Sequence, residues 1–140
     1  MAVLNPYLNF RGETREAMEF YASVFGGEAT LSTFADFQMP GISEDEQDKI
    51  MHSQLLTPAG FTLMAADIPE SMGTGPNANG TISISGDEVE EIRGYFDKLA
   101  EGGRVGMALE KAPWGDYFGQ VTDRYGVDWM ANISGGGPAA

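Results

Sequence analysis

Two stretches decide the reading: Phe118 to Met130, FGQVTDRYGVDWM, and His52 to Met64, HSQLLTPAGFTLM. Both are thirteen residues long, with Gln at the third place (Gln54, Gln120), Gly at the ninth (Gly60, Gly126) and Met at the last (Met64, Met130). Each alternates apolar and polar residues, turns at a glycine and alternates again, which predicts a strand, a turn and a second strand. Two copies of one hairpin point to a duplicated module.

Working outward, each hairpin is preceded by the same succession. Leu4 to Phe10 predicts a strand, Thr14 to Phe25 a helix with Ala17, Phe20, Tyr21, Val24 and Phe25 at helical spacing, and Glu28 to Phe34 a strand. Ile50 to Thr57 and Phe61 to Asp67 form the first hairpin around Pro58-Ala59-Gly60. The pattern restarts with a strand over Thr81 to Ser85, a helix over Asp87 to Ala100 and a strand over Arg104 to Leu109. Asp87 is read as N-cap with Glu90 completing a capping box, and the helical stripe is Val89, Ile92, Phe96, Leu99 and Ala100. Gly26-Gly27 and Gly102-Gly103 stop the two helices. Trp114 opens the second hairpin, and Val127 to Ile133 is the last strand.

Aligning the halves sets Leu8 to Gly12 on Ile82 to Gly86, and Phe20-Tyr21 near Tyr95-Phe96. The first half then carries about ten additional residues between its second and third strands. That places the insertion in the acidic loop 36–48, with its run Glu44-Asp45-Glu46-Gln47-Asp48. The expected fold class is α+β, with paired βαβββ modules whose curved mixed sheets face each other across a cleft. One domain, 1–140, is expected: module one over about 1–68, a Gly/Pro-rich linker 69–80, module two over about 81–134 and a flexible tail 135–140.

The composition narrows the partners. A formal net charge of −13 repels nucleic acid and anionic lipid surfaces, so neither is an expected partner of this acidic protein. No apolar run of about twenty residues is present to span a bilayer. The segment MAVLNPYLNF lacks the basic region and long apolar core of a secretion signal, and a cytoplasmic location is expected. With no cysteine, disulfides and thiolate metal sites are excluded.

The chain resembles the vicinal oxygen chelate superfamily of glyoxalase, bleomycin-resistance and extradiol-dioxygenase proteins. Within it the chain is most similar to the PhnB-like branch, sometimes labelled 3-demethylubiquinone-9 3-methyltransferase-like. The residues carrying this are Pro6 to Phe10, Glu16-Ala17, Phe20-Tyr21, Val24 to Gly27, Met51-His52, Leu63-Met64, Asp67, Leu99-Ala100 with Gly102-Gly103, Trp114, Phe118-Gly119, Asp123 to Val127, Trp129-Met130 and Asn132. The resemblance implies the paired-module fold, a homodimer, and a divalent metal held from the first and fourth strand of each module by His, Gln or Glu. In this chain those positions fall near Asn5, Met64, Asn79 and Met130. Thioether sulfur is soft and suits Cu(I) better than a hard divalent ion, so no resident metal is expected, although the resemblance admits one. No glycine-rich strand-to-helix loop near the start is placed to hold S-adenosylmethionine, and methyltransferase activity is not expected.

His52 is the only histidine. Because imidazole as a group can both accept and donate a proton near neutrality, it is the candidate catalytic base or hydrogen-bonding residue, against the plainer role of a half-buried strand histidine. Alternation puts Gln54 on its face and Gln120 at the equivalent place of the other module. Tyr7, Asn9, Trp114 and Phe118 are candidate ligand-binding residues, against ordinary core or dimer packing. The sharpest expectation is that His52 and Gln54 polarise a carbonyl or enediolate-like group in a pocket roofed by Trp114. Arg124 reads as a turn residue, and the acidic loop as a solvated segment or a lid. The leading function is a small-molecule binding protein without the usual metal. The alternatives are a metal-dependent lyase, isomerase or dioxygenase of the glyoxalase type, and a non-catalytic dimeric protein.

Overall fold

The structure is a computed structural model and describes residues 4–38, 40–70 and 79–134. The linker glycines Gly73 and Gly75 and the tail 135–140 lie outside these residues. The chain divides into two compact units, Met1–Asn79 and Gly80–Ala140. Each contains one four-stranded mixed sheet and one long helix.

The first unit runs β1 (Tyr7–Phe10), α1 (Thr14–Phe25), β2 (Glu28–Thr33), a short α2 (Phe34–Phe37), a 3-10 turn at Glu44–Glu46, β3 (Ile50–Leu56) and β4 (Thr62–Asp67). Its sheet order is β1-β4-β3-β2, with β1 parallel to β4 and the other pairs antiparallel. The second unit runs β5 (Thr81–Gly86), α3 (Val89–Ala100), β6 (Arg104–Lys111), β7 (Tyr117–Thr122) and β8 (Asp128–Ile133), in the order β5-β8-β7-β6. Two βαβββ modules are therefore present, and the fold is α+β.

Each helix covers one face of its own sheet. Ala17, Met18, Tyr21, Val24 and Phe25 of α1 are buried, as are Leu8, Phe10, Leu55, Leu63 and Ala65 of the strands. In the second unit Ile92, Tyr95, Phe96 and Leu99 are buried with Val121, Trp129, Ala131 and Ile133. Full burial of one such large apolar side chain contributes roughly 1.5–3 kcal/mol, so these faces dominate the stability of each unit. Gly119 is fitted to this packing, since a Cβ there would press on Leu109 and on the Phe96 ring.

The glycine pairs do two jobs. Gly26 (φ 85°) and Gly102 (φ 76°) take positive φ values, open to glycine at little cost, where each helix ends. The next residue in each pair lies against the neighbouring strand. A Cβ on Gly27 would strike the carbonyl oxygen of Leu56, and one on Gly103 that of Thr122. Arg124 has the local role expected of it, donating from Nε (3.1 Å) and Nη2 (2.9 Å) to the Glu101 carbonyl just past α3.

Helix α1 has no side-chain cap from Glu13, its N-cap residue. Asp67 at the end of β4 supplies one instead. Its Oδ1 accepts from Gly12 N–H (2.8 Å), Thr14 N–H (3.2 Å) and Thr14 Oγ1 (2.7 Å), and its Oδ2 from Ile50 N–H (2.9 Å). A carboxylate here satisfies otherwise orphaned donors and complements the positive end of the helix dipole.

Three expectations are corrected. First, α3 starts at Val89 with Glu88 at the N-cap position, and no side chain caps it. The capping box read from Asp87 and Glu90 is absent, because the Asp87 N–H donates to Glu88 Oε1 (3.0 Å). Second, the repeat register at the first strand shifts by two. Phe10 pairs with Asp67 and Gly86 with Ile133, so Gly86 corresponds to Phe10 and not to Gly12. The flanking hydrogen bonds agree, since Ile68 N–H donates to Phe10 O and Ser134 N–H to Gly86 O, each at 2.8 Å.

Third, the acidic segment is not simply solvated loop. Thr33 and Asp36 form a capping box on α2. Glu46 is buried and accepts from Glu70 N–H (3.1 Å), Lys49 Nζ (3.1 Å) and Ser43 Oγ (3.1 Å). These donors hold its pKa below the usual 4.5, the Glu70 amide contributing most. A carboxyl with a depressed folded pKa stabilises above its unfolded pKa and loses that stabilisation as pH falls through the folded value. Acidification from pH 4.5 downward is therefore expected to free the Glu70 amide, read as faster hydrogen exchange there. Glu46→Ala, which removes the acceptor altogether, should show the fast exchange already at pH 7.

Candidate functional site

Strand alternation leaves one face of each sheet uncovered by its helix. In the first unit the residues between the buried positions are Tyr7, Asn9, His52, Gln54 and Met64, all half-buried or exposed. Met64 pairs with Tyr7 on one side and Gln54 on the other. The Tyr7 hydroxyl lies 3.4 Å from His52 Nδ1, with the rings tilted by 40° and 6.1 Å apart. Burial raises the Tyr7 pKa above that of a free phenol, so the hydroxyl keeps its proton at neutral pH. The side chain of Asn79 is consumed by Asn9, accepting from its N–H (2.8 Å) and donating to its carbonyl (3.1 Å). Asn79 acts as an added rung on edge strand β1, and Asn5 stands before that strand begins.

The second unit presents Phe118, Gln120, Met130 and Asn132 on its uncovered face. Gln120 pairs with Met130 and Met107, and Met130 also with Ser83. Trp114, in the turn after β6, is 63% exposed and meets Phe118 edge-on at 5.7 Å. Asn132 Nδ2 donates to Asp116 Oδ2 (3.1 Å), tying the last strand to that turn. On the same face lies a cavity of about 190 Å³, lined by Thr81, Gly106, Gln120, Thr122, Asp128 and Met130.

The structure therefore brings Tyr7, Asn9, His52 and Gln54 onto one sheet, and Trp114, Phe118 and Gln120 onto the other.

The family model of the Glyoxalase/Bleomycin resistance protein/Dioxygenase superfamily matches residues 4–131. The chain belongs to this superfamily. Protein YjdN of Escherichia coli (strain K12) is 31% identical, over 93% of this chain and 94% of that protein. The crystal structure of protein PA1353 from Pseudomonas aeruginosa is 36% identical, with a TM-score of 0.82 over 95% of this chain and 98% of that one. A PhnB protein from Bacillus cereus shares the fold, with 24% identity and a TM-score of 0.69 over 95% of this chain and all of that one.

The superfamily implies a divalent metal, and the donor set here does not fit one. Met64 is flanked by a phenol and an amide, and Met130 by a hydroxyl and an amide. Among the described residues no three His, Asp or Glu side chains gather as a metal-binding group. A divalent ion on these donors would meet two soft thioethers and neutral oxygens, with no carboxylate beside Met64 to compensate its charge.

Sequence reading passed over Thr81, Thr122 and Asp128. Alternation from Gln120 and Met130 leads directly to Thr122 and Asp128, two positions away on the same face. The signal was present but carried no family motif.

Proposed function

We propose that the chain is a small-molecule binding protein that works without a resident divalent metal, using the uncovered sheet faces. The meeting of the Tyr7 hydroxyl with His52 Nδ1 at 3.4 Å on an accessible face supports this best. In the tautomer that carries its proton on Nε2, His52 accepts from the Tyr7 hydroxyl at Nδ1 and offers the Nε2 proton to a ligand oxygen. Gln54 and Asn9 add neutral hydrogen-bonding groups beside it. Such a site suits a carbonyl or enediolate-like group, whose developing negative charge takes hydrogen bonds from donors held in place. Within the second unit by itself, Trp114 and Phe118 offer an aromatic edge and face to the planar part of a ligand bound on that sheet. A homodimer in the cytoplasm goes with this reading.

Two measurements test it. Elemental analysis of protein purified without chelator or affinity tag should find no stoichiometric Ni, Mn, Fe or Zn, and incubation with these ions should not change that. A stoichiometric metal would move the assignment to glyoxalase-type catalysis. A ligand screen by thermal shift should then yield carbonyl compounds whose binding falls by about tenfold or more in His52→Ala, the loss of a buried polar contact. The variant should melt close to the parent, because His52 is only half-buried and, among the described residues, its side chain meets only the Tyr7 hydroxyl as a polar partner. Undiminished binding by the variant would remove His52 from the site.

A further inference from the structure

We propose that the cavity on the uncovered face of the second sheet binds a protonated amine, with the Asp128 carboxylate as counter-charge. The proposal rests on the reading that these faces take small molecules, but it does not use His52.

Asp128 is the only ionisable side chain among the residues that line the cavity. The Thr122 hydroxyl donates to Asp128 Oδ1 at 2.6 Å, which fixes the carboxylate plane and leaves Oδ2 open. Among the described residues no Lys or Arg forms an ion pair with Asp128. Arg104 faces Thr122 across the β6–β7 ladder, in the same row of side chains, yet forms no ion pair with Asp128. The carboxylate is therefore oriented, accessible and without a cation.

The remaining lining residues narrow the ligand class. An ammonium group has three N–H donors and no acceptor. Asp128 Oδ2, the Gln120 amide oxygen and the Thr81 hydroxyl are acceptors that can share them, and Met130 offers an apolar wall to the adjoining carbons. No positive side chain lines the cavity, so an anion would meet only repulsion from Asp128. One carboxylate does not hold a hard divalent ion, which takes several oxygen ligands. Gly106 keeps the β6 side open, since a Cβ there would meet nothing nearer than the Gln120 carbonyl oxygen at 3.9 Å. A cavity of about 190 Å³ admits an alkylammonium group and little more. The net charge of −13 enriches cations around the chain without selecting this place, and selection falls to the geometry.

The test is an amide-resolved NMR titration of the whole chain with butylamine at neutral pH and physiological salt, beside butanol and butyrate as neutral and anionic probes of similar shape. Amides of Gln120, Thr122 and Asp128 should shift saturably with butylamine alone. Asp128→Asn should weaken binding by about tenfold or more, the loss of a charged hydrogen-bond partner. Glu110→Gln, which removes an exposed carboxylate beyond the cavity lining, should leave binding unchanged. The proposal is overturned by the absence of saturable shifts, by equal binding in Asp128→Asn, or by an equal loss in Glu110→Gln.

Discussion

Replacing Asp67 by Ala is expected to destabilise the first unit by about 4 kcal/mol, because it strands several donors at once. The carboxylate serves four, three of them the main-chain N–H groups of Gly12, Thr14 and Ile50, inside a site where Asp67 itself is 3% exposed. Each buried donor left without its acceptor costs roughly 1–3 kcal/mol, and α1 also loses the negative charge at its N-terminus. Asp67→Asn should cost about half as much, since the amide oxygen can still serve the Oδ1 cluster while its NH₂ faces the Ile50 N–H. Urea unfolding followed by hydrogen exchange would show the loss first at Thr14 and Ile50. Protection at these amides equal to the parent's would refute the role assigned to Asp67.

The second large effect belongs to Asp123. Its Oδ1 accepts from Tyr125 N–H (2.8 Å) and Val127 N–H (3.1 Å), and its Oδ2 from the Trp129 indole Nε1–H (2.9 Å). Asp123→Ala is expected to cost the second unit about 3 kcal/mol. The repeat suggests a finer variant. Thr57 holds the equivalent place in the first hairpin, where its Oγ1 accepts from Phe61 N–H (3.0 Å). Asp123→Thr should therefore keep the bond to Val127, lose those to Tyr125 and Trp129, and cost about half as much. Both tryptophans, Trp114 and Trp129, lie in the second unit, so indole emission during denaturant unfolding reads this directly. Equal midpoints for Ala and Thr would mean that the turn bond to Val127 contributes nothing.

Much of the fold could be read from local chemistry. The hairpins were legible because their turns obey the same rule twice: Gly60 N–H donates to Thr57 O (2.9 Å) and Gly126 N–H to Asp123 O (3.0 Å). The bounds of α1 follow from its apolar spacing and from Gly26. The register of the first strand was not legible. Gly12 and Gly86 are alike as letters, but Gly12 (φ 121°) sits in the turn before α1, whereas Gly86 closes β5. Glu46 belongs to an acidic run whose composition signals solvent, and only the fold brings Glu70 to it. The site divides in the same way. That His52 and Gln54 share a face follows from alternation along one strand. The approach of Tyr7 to His52 depends on β1 lying beside β4, a neighbour remote in sequence.

That last pairing bears on how the protein is made. In each unit the first strand finds its partner in the fourth, Tyr7–Phe10 beside β4 and Thr81–Gly86 beside β8. A nascent chain leaving the ribosome thus holds β1 as an open edge until Asp67 has emerged, while α1 and the β3–β4 hairpin have only local contacts to form. Such late, non-local closure slows folding and leaves unpaired strand edges in the interim. A chain halted before β4 would leave β1 unpaired and α1 without its Asp67 cap, and the risk of mispairing is concentrated in that interval of synthesis.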